Sequence, residues 1–535
     1  EIRDSLDKII KIISVIVLPL GGIMFLKQRF YLELSMEDAV TKTVASMISM
    51  IPDGLVLLSS VVMAVSVIKL ARERAVVQEL YSIENLARVD VLCLDKTGTI
   101  TEGRMVLEEQ LPLGTVDYKT AACAYLTAMM DENATSLALQ EEFAQKVTWQ
   151  TEKVIPFSSK RKWGAVSFTE KGTYLLGAPE VVLAKHYSLY EKNISSYMKK
   201  GRRVLVFAHV KGIFKEEKDL VEAEPIAFFV LKDCIRKNAK ETLAYFQKQG
   251  VDLKVISGDN PQTVMQIAKR AGLKAAERCV DARTLTTKEA LEKAAEAYTV
   301  FGRVTPEQKY ELVRVLQGNG HTVAMTGDGV NDVLALKEAD CSIVMDSGCD
   351  VARKTAKVVL VDSDFSTMPK ILAEGRRAIN NLERSASLFL TKTTFATLLL
   401  TLFLVIKISY PLQPIQFTLI NALTIGIPAF LLALEPNYAV VQGRFLKKVF
   451  ARAVPVGILA ICNIAFVVGM TTHLGYEEDM VSTMTTVAAA MANFLLVFRS
   501  CTPWNKKRVA MFTGLVILFA LAMSYAKVVF GFENI

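Results

Sequence analysis

Seven apolar runs, each near the roughly 20 residues a helix needs to cross a bilayer, punctuate this chain. They lie at Ile9–Leu26, Val40–Leu70, Ser387–Ile406, Ile415–Leu434, Val454–Thr472, Val481–Phe498 and Val509–Phe530. Between the second and third, from Ala71 to Arg384, runs a charged stretch that no bilayer accommodates. This segregation explains how 535 residues can be 51% hydrophobic and still carry 63 Lys and Arg against 55 Asp and Glu. It excludes a simple soluble enzyme, a disordered chain and a collagen-like chain. The first run is no signal peptide, because it lacks a small-residue cleavage site and is followed by Lys27 and Arg29.

Cytoplasmic flanks of membrane spans retain Lys and Arg. If the spans alternate, one side collects Lys69, Arg72 and Arg74, then Arg376, Arg377 and Arg384, then Arg444, Lys447, Lys448 and Arg452, then Lys506, Lys507 and Arg508. The opposite loops are short and poor in base, as in His473–Met480. A multi-pass protein of the cell membrane with a cytoplasmic insertion is expected. Much of the net +8 charge flanks the spans, so no nucleic-acid partner is expected. Eight scattered cysteines with no CxxC pair read as reduced packing residues.

Within the insertion, β-branched apolar runs at Val89–Leu94, Leu253–Ile256, Thr322–Met325, Cys341–Met345 and Val358–Val361 alternate with helical patterns. That is the pattern of a parallel α/β sheet, and the first three runs end in loops with Asp and Gly, as at the edge where ligands bind. The first loop is Asp95-Lys96-Thr97-Gly98-Thr99. A carboxylate at a strand end, beside a lysine and a glycine turn, suits a nucleophile that takes a phosphoryl group as an acyl phosphate. Ser257-Gly258-Asp259-Asn260 and Thr326-Gly327-Asp328-Gly329-Val330-Asn331-Asp332 follow. Acidic loops converging with Asp95 would hold Mg²⁺. Lys309 would offset the repulsion among Asp95, Asp328, Asp332 and a phosphate.

At these residues the chain resembles the P-type cation-transporting ATPases, membrane pumps of the haloacid-dehalogenase superfamily. DKTGT, Asp233-Cys234-Ile235-Arg236, SGDN, the TPEQK segment ending at Lys309, and TGDGVND stand in family order across essentially the whole chain. The resemblance implies a multi-domain membrane protein: an α-helical transmembrane bundle plus a cytoplasmic α/β Rossmann-like phosphorylation domain with an inserted α+β nucleotide-binding domain. The expected parts are two membrane helices with stalks in 1–70, the phosphorylation domain in 71–108 and 230–381, the nucleotide-binding domain in 109–229, and five membrane helices in 382–535. The resemblance also implies phosphorylation of Asp95 by ATP, with Mg²⁺ held by Asp95, Asp328 and the Thr97 carbonyl and supported by Asn331 and Asp332. Ser257 stands where the family usually has threonine and keeps a hydroxyl for phosphate.

In the inserted domain, Pro156–Lys162 is similar to the family's adenine-binding stretch, with Phe157 for stacking and Lys162 near the nucleotide. Gly177-Ala178-Pro179-Glu180 matches the end of its KGAPE loop, with Leu176 replacing the lysine. Arg203 would reach the phosphates, and Asp259 and Arg303 complete the implied nucleotide set.

The second span contains Pro52-Asp53-Gly54-Leu55. Proline frees helix carbonyls that can coordinate a cation, and an aspartate in lipid needs a partner. The family's calcium pumps carry PEGL here, so Asp53 would take the glutamate's role. Thr394, Asn421 and Thr424 are further candidate ligands, and the hydroxyls of Thr483, Thr485 and Thr486 with Asn493 could add oxygens. Ile425 replaces an expected aspartate, so one clear carboxylate supports at most one calcium-like ion. Lys392 either snorkels to the interface, which its nearness to Arg384 favours, or reaches Asp53 as a counter-charge. A bacterial calcium-type subgroup shares a lysine–threonine pair and a sequence like Leu434–Asn437, making Ca²⁺ the first expectation for the transported cation. A pump for Mg²⁺, Mn²⁺, K⁺ or H⁺, and a membrane-tethered phosphatase, remain alternatives. No TGE triplet occurs, so the family's actuator domain and first two helices are expected from a missing segment of the same pump.

Overall fold

A computed structural model divides the chain into two compact units, Leu70–Ile371 and Glu1–Lys69 with Leu372–Ile535. It describes residues 2–525, 530 and 532, apart from 81, 115, 146, 159–160 and 214–222, and the side chains of 2–4, 53 and 185 are outside the description.

In Leu70–Ile371 the strands are β1 (Ala75–Val77), β2 (Val91–Asp95), β3 (Thr101–Pro112), β4 (Thr151–Ser158), β5 (Trp163–Phe168), β6 (Gly172–Gly177), β7 (Arg203–Val210), β8 (Glu224–Ile235), β9 (Asp252–Ile256), β10 (Cys279–Asp281), β11 (Val300–Gly302), β12 (Val323–Thr326), β13 (Cys341–Met345) and β14 (Val358–Leu360). Eight of them form one sheet in the order β1-β14-β13-β12-β2-β9-β11-β10. Every pairing is parallel except that of β1 with β14. β2, β12 and β13 are buried at every position, which is why they read as unbroken apolar runs. With β2 between β9 and β12, the ends of all three strands open at one edge, bringing Asp95, Ser257 and Gly327-Asp328 together. β1, β10 and β11, three residues each, are too short to carry a period and escape the sequence pattern.

The remaining strands form an antiparallel sheet, β3-β8-β7-β6-β5-β4. Its alternation buries both faces: Tyr174, Phe207 and Phe229 pack with Tyr125 on one side, and Leu175, Val206 and Phe228 pack with Ile194 on the other. The junctions expected after residues 108 and 229 fall within β3 and β8, which pair along their length with Glu109 opposite Val230.

Among the described residues, seven helices are long and apolar enough to cross a membrane: Ser5–Tyr31, Met36–Arg72, Phe365–Val405, Pro414–Ala433, Phe445–His473, Glu478–Ser500 and Lys506–Tyr525, with most of their length in the other unit. Two are interrupted. Met36–Met50 stops and Asp53–Arg72 begins across Ile51-Pro52, with Ile51 extended at φ −81°, ψ 123°. A Cβ on Gly54 would stand 2.5 Å from the Phe389 ring, so glycine lets the broken helix approach its neighbour. The fourth span widens into a π turn at Asn421–Gly426, just before Pro428, whose ring nitrogen cannot donate to the preceding turn. The arginines that set the orientation also pack: Arg377 Nε donates to Glu374 Oε2 (2.8 Å) and its Nη1 to the Ala433 carbonyl (3.0 Å). Arg508 pairs with Glu435 at 2.5 Å.

Candidate active site

Asp95 ends β2 and is held there by its neighbours. Its backbone N–H donates to Thr326 Oγ1 (3.3 Å), and its Oδ2 accepts from the Thr97 N–H (3.0 Å). Lys309, in the first turn of a helix whose Thr305 and Gln308 form a capping box, points back at it. Lys309 Nζ lies 2.6 Å from Asp95 Oδ1 and 2.5 Å from Asp332 Oδ1. Carboxylate oxygens of Asp95, Asp328 and Asp332 fall within 4.8 Å of one another. Gly98 adopts φ +70°, and a Cβ there would stand 1.7 Å from Asp328 Oδ2. Only glycine both tolerates that conformation and lets the acid come so close.

Crowding shows in the acidities. Burial first, then the charges of Asp95 and Asp332, pushes the Asp328 carboxyl up to about 6. Burial likewise raises Asp95 against the pull of Lys309. Burial opposes the Lys309 ammonium too, but its two carboxylates outweigh it and hold Lys309 above its usual value. One lysine thus leaves this set short of positive charge, and its hard oxygen donors fit Mg²⁺.

Two residues with no role assigned from sequence brace the loop. Lys96, 2% exposed, meets Asp259 at 2.6 Å and Asp233 at 3.4 Å. Arg236 donates to the carbonyls of Gly98 (2.9 Å), Thr99 (3.1 Å) and Ser363 (2.8 Å). The Asp233–Arg236 motif was visible in sequence, but what it would touch was not. Ser257 is buried, and its Oγ accepts from the Asp259 N–H (3.2 Å).

Beside this edge opens a cavity of about 780 Å³ lined by Phe157, Lys162, Gly177, Arg203, Asp259 and Arg303, all the residues expected at the nucleotide. Its volume suits a nucleotide-sized ligand. Several of them carry protein partners: Lys162 meets Glu180 (3.3 Å), Arg303 meets Asp281 (2.8 Å) and Arg203 Nη1 donates to Thr135 Oγ1 (3.1 Å). Thr135 and Asn133, which caps helix Ala134–Glu142, also line the cavity. Sequence reading missed both.

In the membrane unit, Lys392 is 4% exposed and donates to the Ile51 carbonyl at 3.3 Å. This corrects the snorkelling expectation: the carbonyl at the Pro52 break gives the buried ammonium an acceptor within the bundle. Thr394 points elsewhere. Its Cγ2 lies 2.9 Å from where a Cβ on Gly457 would stand, because residues two apart on a helix face different neighbours. It is therefore not grouped with the Pro52 break. Thr424 Oγ1 donates to the Ile420 carbonyl (2.8 Å). Asn421 Oδ1 is buried with no hydrogen-bond partner among the described residues. Thr483, Thr485, Thr486 and Asn493 each donate to the carbonyl four residues back, serving their own helix. Pro52 is buried at the break, while the Asp53 side chain lies outside the described residues.

A parallel sheet with an aspartate at the tip of a central strand, a buried lysine and further acids at the same edge defines a class of hydrolase. Residues 89–340 match the haloacid dehalogenase-like hydrolases. Over 523 residues the chain is 38% identical to the probable cation-transporting ATPase exp7 of Streptococcus pneumoniae, covering 95% of this chain and 67% of that one. Over 559 residues it is 37% identical to the calcium-transporting ATPase CtpE of Mycobacterium bovis, covering 100% of this chain and 70% of that one. The chain belongs to the P-type cation-transporting ATPases: it is a multi-pass membrane enzyme with cytoplasmic catalytic domains that uses ATP and Mg²⁺ to move a cation.

Proposed function

We propose that the pump carries Ca²⁺, one ion at a time, and that each cycle passes through an acyl phosphate on Asp95. The observation that carries the second part is the bridge of Lys309 between Asp95 and Asp332. Lys309 favours the ionised, nucleophilic form of Asp95 and stays in place to meet charge building on the phosphoryl oxygens. Asp332 orients Lys309, and the Ser257 hydroxyl binds a phosphate oxygen. Asp95, Asp328 and the Thr97 carbonyl would hold Mg²⁺, whose charge counters the acids and the phosphate together. Phe157, Lys162, Gly177, Arg203, Asp259 and Arg303 bind ATP from the adjoining cavity.

Calcium is supported by the name of the mycobacterial relative and by the oxygen groups near two interrupted helices. Asp53, the carbonyls freed by Pro52, and the oxygens of Asn421 and Thr424 are assigned to the ion. Thr394, which faces another helix, has the weakest claim. Lys392, bonded to the Ile51 carbonyl, serves as the counter-charge that the ion displaces and that returns when it leaves.

The test is acyl-phosphate formation from labelled ATP by the full-length protein across calcium, magnesium, manganese, potassium and proton conditions. Labelling should require calcium, vanish in Asp95→Asn and lose its calcium dependence in Asp53→Ala. Hydroxylamine-sensitive label surviving in Asp95→Asn would reject Asp95, and labelling indifferent to calcium would reject the cargo.

A further inference from the structure

We infer that Arg384, Arg452 and Arg508 form a site for the phosphate of an acidic phospholipid in the cytoplasmic leaflet. They come from three different spans, Phe365–Val405, Phe445–His473 and Lys506–Tyr525, on the flank that the basic residues mark as cytoplasmic. Arg508 is buried and uses its donors within the protein. Its Nε donates to Glu435 Oε2 (2.6 Å), its Nη1 to the carbonyls of Cys501 (3.2 Å) and Pro503 (2.6 Å), and its Nη2 lies 2.5 Å from the same Glu435 oxygen.

Arg384 is served far less well. It meets Glu435 Oε2 at 3.9 Å, beyond hydrogen-bond reach. Its Nη1 is buried with no hydrogen-bond partner among the described residues, while 12% of the side chain stays open. A buried polar atom left this way calls for an explanation, and the next acid along the helix does not supply one, because Glu383 is answered by Lys448 at 3.4 Å. That pair sets the third and fifth spans side by side here. Arg452, one turn beyond Lys448, stands close enough for its charge to oppose that of Arg384. Three guanidiniums therefore gather at one carboxylate that Arg508 already holds on two of its nitrogens.

A phosphate diester fits what is lacking. Its oxygens offer a guanidinium the same paired acceptance that Glu435 gives Arg508, and because the charge is spread over the whole planar group, an anion at the open edge of Arg384 offsets it. Basic groups between spans at the cytoplasmic side are where acidic headgroups bind. The rest of the fifth span points to a lipid rather than a soluble anion. Arg452 is exposed two turns inside that span, at a depth where a charge needs a headgroup. Leu459 and Phe466, seven and fourteen residues further on and so on the same side of the helix, are 41% and 67% exposed. Charge at the cytoplasmic end with an apolar stripe running outward beneath it matches a headgroup with its acyl chain.

The test places full-length protein in nanodiscs of phosphatidylcholine with increasing fractions of phosphatidylglycerol, and native mass spectrometry counts the lipids kept on the released protein. Phosphatidylglycerol should be retained in preference to phosphatidylcholine. The fraction giving half occupancy should rise about tenfold in Arg384→Gln and several-fold in Arg452→Gln. Lys447→Gln, an exposed change on another face of the same helix, should leave it unchanged. Equal retention of the two lipids overturns the site, and so does an equal rise in Lys447→Gln, which would reveal a general attraction to the basic flank. If Arg384→Gln fails to fold, the exposed Arg452→Gln decides, and unchanged retention there overturns the proposal. A separate arm adds inorganic phosphate to pure phosphatidylcholine discs. Phosphatidylglycerol should raise the thermal unfolding temperature and inorganic phosphate should not; protection by inorganic phosphate alone would assign the arginines to a soluble anion and overturn the lipid.

Discussion

Two buried lysines, Lys309 at 5% exposure and Lys392 at 4%, sit on different scaffolds. Lys309 lies between two carboxylates at the edge of a parallel sheet. Lys392 donates to a main-chain carbonyl where a membrane helix is broken. Full charges at close range in a dry site hold the Lys309 ammonium tightly. Strands fixed on both sides by parallel neighbours also give Lys309's partners little room to move, whereas a helix interrupted at proline has slack. The contrast suggests a stationary charge at the sheet edge and a displaceable one in the membrane.

Removing each lysine tests that division, and the sheet edge should suffer most. Lys309→Met leaves Asp95 and Asp332 buried without their shared cation, which should cost about 3–5 kcal/mol of stability. Acyl-phosphate formation should fall on the order of 100-fold or more. Thermal unfolding and rapid-quench labelling check the two effects; a variant that phosphorylates within a factor of a few of normal would show that Lys309 is no fixed partner of Asp95.

A smaller effect comes from the acid cluster itself. Asp328 is pushed up to about 6 from an ordinary 3.8, so without divalent metal the folded chain keeps a proton that the unfolded chain releases between those values. Stability from this source is full below about pH 4 and is lost as pH rises through about 6, with roughly 1–3 kcal/mol at stake. Denaturant unfolding in chelator from pH 4 to 7 should show that fall. Asp328→Asn should flatten it, and an equal slope in the variant would place the titration elsewhere.

The two regions also differed in how much the sequence disclosed. The sheet edge was legible because each strand delivers its chemistry within a few residues of its own end: Asp95 after β2, Asp259 after β9, Asp328 after β12. Parallel order alone then brings the loops together. What stayed hidden there depends on reach across the fold, as with Lys96 meeting Asp233 and Asp259, or Arg236 holding the Gly98 carbonyl. In the membrane the spans were plain from hydropathy and the break from Pro52. Which way a side chain turns is set by the neighbouring helix, and no pattern in one helix records that. Lys392 and Thr394 therefore looked alike in sequence and face different partners in the structure.

If Lys392 is the displaceable charge, Lys392→Met should leave the fold nearly intact. The calcium concentration for half-maximal phosphorylation should fall about tenfold, equivalent to ~1.4 kcal/mol of competition removed. A rise, or a stability loss comparable to that of Lys309→Met, would make Lys392 a structural partner of the break and erase the contrast.

The smallest effect belongs to a third lysine that calibrates the other two. Lys162 pairs with Glu180 at 3.3 Å, but the two side chains are 56% and 48% exposed. Water screens such a pair, so Lys162→Ala should shift stability by no more than about 0.5 kcal/mol. Because Lys162 lines the cavity, the ATP concentration for half-maximal phosphorylation should still rise a few-fold at an unchanged maximal rate. Burial predicts this ordering of the three lysines, since charge and partner type are the same for Lys162 and Lys309. A stability loss at Lys162 equal to that at Lys309 would mean that burial is not what gives the ion pair its weight.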